Sequence, residues 1–136
     1  MSVPQVSLTF SGGPLASKGS KFSGGLFING QFVASQSGKT FAVVDPSTGK
    51  EIAQVAEASE KDVDIAVKAA HNAYHSAWGL KVPGFERGKL LMKLADLVEA
   101  NIDELASIES LGNGKPFSIA KGKSSDALPR AASACQ

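Results

Sequence analysis

At Ser59 the spacing of apolar residues changes. Before it they come in short β-branched and aromatic runs broken by turn residues, and after it at every third or fourth position, as far as Gly114. Ser59 is a suitable helix N-cap, and Asp62 stands where the reciprocal partner of a capping box belongs. Val63, Ala66, Val67, Ala70, Tyr74 and Ala77 then form one apolar stripe, which Gly79 ends. Val82-Pro83-Gly84 leads into a second stripe of Leu90, Leu91, Leu94, Leu97 and Val98. Beyond Asn101 a third follows, with Ile102, Leu105, Ile108 and Leu111. Gly112-Asn113-Gly114 stops that helix, and Pro116 prevents its resumption. The stripes read most simply as core, although two or three helices and a meander are expected to bury only one side of each, and Glu60, Lys61, Lys68, Lys93 and Glu99 are expected to occupy solvated helix faces.

Upstream, Leu26 to Val33 reads as two short strands around an Asn29-Gly30 turn, because both residues tolerate positive φ. Thr40 to Val44 is a β-branched and aromatic run typical of a strand. Asp45-Pro46-Ser47-Thr48-Gly49 reverses the chain into an extended segment marked by Ile52 and Val55. The spacing predicts a small antiparallel β-meander followed by two to three antiparallel helices, with disordered ends. Residues 1–25 are rich in Ser and Gly and read as a loose arm, and 121–136 as an unstructured tail with no amphipathic stripe.

The charges nearly cancel, with Lys+Arg 14 against Asp+Glu 13. Nucleic acids and anionic membranes need clustered positive charge, so neither is expected as a partner. No apolar run approaches the roughly 20 residues of a spanning helix. Pro4, Gly12, Gly13 and Pro14 interrupt any signal-peptide core, and Cys135 alone can form no internal disulfide. These features point to a cytoplasmic protein. The early absence of acids hints at a transit peptide, but the early cations are lysines rather than arginines.

Several segments together resemble one family. Leu26-Phe27-Ile28-Asn29-Gly30-Gln31-Phe32-Val33 is similar to the first strand pair of aldehyde dehydrogenases, and Phe41 to Gly49 to that family's strand-to-turn passage. Ile52 to Ala58 with Glu60 to Val67 resembles its strand-to-helix passage. The likeness continues through Trp78, Arg87-Gly88, Leu94-Ala95-Asp96-Leu97 and Glu109 to Pro116, so it covers residues 26 to about 120. The resemblance implies an α/β architecture for the complete enzyme and oxidation of aldehydes to carboxylic acids with NAD or NADP. It also implies a structural monovalent cation, held by an acid at position 112 and carbonyls near Val43 and Val44. Gly112 has no side-chain oxygen to offer it. Asp45 replaces the more usual Asn of the turn, a change of little consequence because both cap turns.

Family chemistry requires a cysteine thiolate, an oxyanion-holding donor pair, a bound nicotinamide and a glutamate that activates water. Cys135 is the one thiol, but Ala-Ala-Ser-Ala precedes it and a terminal tail has no means of lowering a thiol pKa. His71 and His75 have the spacing of a zinc pair, yet Asn72 stands where the metalloprotease motif needs glutamate, so they read as solvated side chains. Gly112-Asn113-Gly114-Lys115 ends a helix rather than opening one, which disfavours phosphate. Gly12 and Gly24 lack the strand-to-helix setting of a phosphate loop. No catalytic, cofactor-binding or metal residue is therefore expected, nor a cofactor bound by this chain alone. The chain reads as a truncated or alternatively spliced dehydrogenase product without turnover of its own. Two alternatives stay open: a non-catalytic module that binds a full-length dehydrogenase subunit or another partner, and a product with no function.

Overall fold

The computed structural model describes residues 2–79 and 82–122, and the chain divides into two compact units. Of the described residues, the first comprises 2–8, 20–44 and 49–79; the second comprises 9–19, 45–48 and 82–122.

In the first unit the described strands pair two by two, all antiparallel. Gln5–Leu8 (β1) pairs with Ser20–Ser23 (β2), Leu26–Ile28 (β3) with Gln31–Val33 (β4), and Thr40–Val44 (β5) with Glu51–Ala56 (β6). The expected strands of residues 26–56 are present, but the β3–β4 ladder does not continue into β5–β6 as one ribbon. Asn29 and Gly30 adopt φ of 52° and 79°, the left-handed pair that a two-residue hairpin turn requires. The turn brings Phe27 opposite Phe32, with ring centroids 5.0 Å apart.

The arm expected to lack structure forms β1 and β2 instead. Val6 and Leu8 alternate with exposed Gln5 and Ser7, and both apolar side chains are buried. Gly24 ties this pair to β6: its N–H donates to the Pro4 carbonyl, and its own carbonyl accepts from Ala56 N–H, each at 2.8 Å. A Ser- and Gly-rich composition hid a period-2 strand that packs against β6, more than 40 positions further along the chain. Glu60–Ser76 (α1) completes the unit as one 17-residue helix that begins at Ser59.

The second unit contains Gly84–Ala100 (α2) and Ile102–Asn113 (α3), with further helical residues over 117–122. Asn101 closes α2 and opens α3, and its side-chain amide donates to the Leu97 carbonyl at 2.7 Å. Gly114 caps α3 in the left-handed conformation. Lys121 and Gly122, expected to open the tail, are helical, and Lys121 Nζ lies 2.7 Å from Asp103 Oδ1. The remainder of that tail, with Cys135, lies outside the described residues.

The apolar stripes are largely open, in line with the expectation that so few elements leave part of each uncovered. Leu90, Leu94 and Leu97 of α2 and Val63 and Val67 of α1 are each about half exposed or more. Among the described residues the buried apolar side chains are Val6, Leu8 and Ala56 in the first unit and Ala106 and Ala120 in the second. Periodicity places these residues on one face of each helix, but each unit supplies too little opposing surface to cover it.

Candidate functional site

The densest polar arrangement lies at the start of α1. Ser59 adopts an extended conformation, and its hydroxyl accepts from the Asp62 N–H while the Asp62 carboxylate accepts from Ser59 N–H at 2.8 Å. This is the capping box that the sequence indicates. The structure adds a long-range half that the local pattern does not reveal. Asp62 also accepts from the Ser35 hydroxyl at 2.9 Å and from Gln36 N–H at 3.1 Å, which binds the β4–β5 loop to the helix. The Ser59 hydroxyl, then the Ser59 and Gln36 amides and the Ser35 hydroxyl, lower the Asp62 pKa to about 2 against the opposing effect of burial. Every donor is spent on a carboxylate at the positive end of the helix dipole. The cluster fastens α1 to the β4–β5 loop.

Beside it, α1 and the β3–β4 hairpin enclose an apolar groove of about 520 Å³ lined by Phe27, Ile28, Asn29, Ala66, Ala70 and Ala73. Alanines on the helix let the hairpin approach closely, and Phe27 remains 64% exposed at the rim. Further along α1, His71 and His75 turn towards each other, with Nε2 atoms 3.2 Å apart. Among the described residues no group of three His, Cys, Asp or Glu side chains is placed to hold a metal.

The glycine-rich candidates behave as helix terminators or turns. Gly114 has φ of 68° and donates its N–H to the Ser110 carbonyl, as a C-cap does. In the second unit Gly12 and Gly13 line a cavity with Ser107, Ser110, Leu111 and Phe117, beside the C-terminal half of α3. At position 112 an added Cβ would meet nothing within 4 Å, and glycine itself has no side-chain oxygen to offer a cation. The Asp45 turn is built locally: Asp45 Oδ1 accepts from Ser47 N–H at 2.8 Å and Oδ2 from the Thr48 hydroxyl at 2.9 Å. The Ser47 amide and the Thr48 hydroxyl lower the Asp45 pKa.

The model of the aldehyde dehydrogenase family matches residues 32–135 of the sequence. This chain belongs to the aldehyde dehydrogenase family. The match also runs through the segment after Lys121, where departure from the family was expected. An aldehyde dehydrogenase of Davidiella tassiana is 58% identical over 98 residues, which are 72% of this chain and 20% of the relative. One from Agaricus bisporus is 54% identical over 97 residues, 71% of this chain and 19% of the relative. The NAD+ complex of the Bacillus cereus aldehyde dehydrogenase has a TM-score of 0.76 and 42% identity, covering 80% of this chain and 22% of that one. An NAD-dependent aldehyde dehydrogenase from Sinorhizobium meliloti gives 0.74 and 37%, covering 79% and 22%. The chain thus spans about a fifth of the length of the curated relatives it matches.

A dinucleotide does not fit the described residues. Their strand-to-helix passage, β6 to α1, runs through Glu57-Ala58-Ser59, and the Asp62 carboxylate already occupies the helix N-terminus. A pyrophosphate needs a glycine-rich turn and free amides at such a junction. The strands here are antiparallel pairs rather than the parallel sheet that presents one. Among the described residues no helix is long and apolar enough to cross a membrane.

Proposed function

We propose that this chain is the N-terminal structural segment of an NAD(P)-dependent aldehyde dehydrogenase, and that its 136 residues unaided do not oxidise aldehydes. The match to about a fifth of each relative carries the proposal. Family chemistry calls for a positioned thiolate, an oxyanion-binding donor pair and a bound nicotinamide. The described residues offer a capped helix and a fastened loop in their place. In this reading the Asp62 junction fixes α1 relative to the β4–β5 loop, giving the rest of such an enzyme a firm surface to fold against. A cytosolic setting accompanies the proposal, supported by a lone cysteine that can form no internal disulfide. Purified chain mixed with NAD or NADP and a panel of aldehydes gives no growth in the absorbance of reduced cofactor. Sustained turnover overturns the proposal.

A second reading is a non-catalytic module that binds a full-length dehydrogenase subunit, favoured by the exposed Phe27, Val67, Leu94 and Leu97. Co-elution with such a subunit on size exclusion at micromolar concentrations supports it, and separate elution counts against it.

A further inference from the structure

The two histidines of this chain form a pair that nothing above uses. His71 and His75 lie four residues apart on α1, so their Cβ atoms project from one face a single turn apart. Their Nε2 atoms converge to 3.2 Å, the rings stand 4.3 Å apart and inclined by 51°, and Tyr74 meets the His75 ring edge-on. Both side chains are exposed.

A single shared proton satisfies this geometry when one ring donates through Nε2 and the other accepts. The nitrogen spacing also lies within reach of one metal ion. With Zn–N bonds of about 2.0–2.1 Å, nitrogens 3.2 Å apart meet an ion at about 100°, near the tetrahedral angle, once the rings swing outward from their 4.3 Å separation to aim both lone pairs at it. The backbone that carries them is fixed by helix hydrogen bonds and anchored at Ser59 and Asp62, so the pair is partly arranged before any ligand arrives.

We propose that His71 and His75 form a two-imidazole chelate for a borderline divalent transition-metal ion, bound through both Nε2 atoms. Imidazole nitrogen selects zinc, copper and nickel over magnesium and calcium, which favour oxygen. Two protein ligands leave the remaining positions to water, so the ion is exchangeable rather than structural. Lys68, three residues before His71 on the same face, opposes the bound charge and keeps the affinity modest. Copper(II) binds more tightly than zinc.

The test uses the full chain carrying Cys135→Ser, so that the thiol cannot compete for the ion. The sequence contains only these 2 histidines, so two sets of imidazole proton resonances report the whole site. On titration with zinc both sets shift together along one binding curve, with one ion per chain, and saturate by millimolar zinc. His71→Asn and His75→Asn each weaken binding about tenfold or more, with helical circular dichroism unchanged. Movement of one ring alone, failure to saturate at millimolar zinc, or single variants that bind as tightly as the parent would overturn the proposal. The resonance shifts need no variant, so the test survives even if one substitution disturbs the fold.

Discussion

Asp62 shows how one side chain acquires its weight. Its position three residues after Ser59 is written in the sequence, and the capping box follows from that spacing. Removing the cap hydroxyl with Ser59→Ala should destabilise the fold by about 1 kcal/mol, read as a lower denaturant midpoint with an unchanged slope. The long-range bonds to Ser35 and Gln36 add a pH dependence. The folded pKa of about 2 lies below the ordinary 3.8, so the ionised carboxylate stabilises the fold above about pH 4. That contribution is lost as pH falls from about 4 through 2. Urea midpoints should drop over this window in the native chain, and Asp62→Asn should flatten that part of the profile while lowering the midpoint at neutral pH.

At the scale of the element, α3 gives two glycines with opposite predicted behaviour. Gly112 lies within the helix with open space around a would-be Cβ, so Gly112→Ala should stabilise the chain by about 0.5–1 kcal/mol. Gly114 has φ of 68°, and a Cβ there would come 3.0 Å from Pro46 Cγ. Gly114→Ala should destabilise by about 1–2 kcal/mol from the backbone alone. Thermal melts of the two variants should therefore move in opposite directions; a shift of the same sign in both would contradict the capping role of Gly114. The Gly-Asn-Gly run was legible as a stop signal, but which glycine carries the left-handed turn emerged only with the backbone dihedrals.

At the scale of the whole molecule, burial is thin. Among the described residues no large side chain is fully buried, whereas Phe27, Val67, Phe85 and Leu94 are each more than half exposed. Hydrophobic burial is the main term opposing chain entropy, so the 136-residue chain should be marginally stable. A hydrophobic dye should bind strongly, near-UV dichroism should be weak, and the melt should be broad and centred below about 45 °C. A sharp cooperative transition at high temperature would show that these faces are covered in solution.

The bounds of α1, α2 and α3, the Asn29-Gly30 hairpin and the Asp45 turn were readable along the chain, because each is set by dihedral preferences and bonds within a few residues; the helical residues 117–122 after Pro116 were not. The family likeness was readable for the same reason, since its motifs are contiguous. The pairing of β1 with β2, the anchoring of Asp62 on Ser35 and Gln36, and the exposure of the apolar stripes were decided by tertiary structure. Each depends on what lies opposite a residue in space. A stripe records which face of a helix seeks apolar cover, while the presence of that cover is fixed by residues far away in the chain.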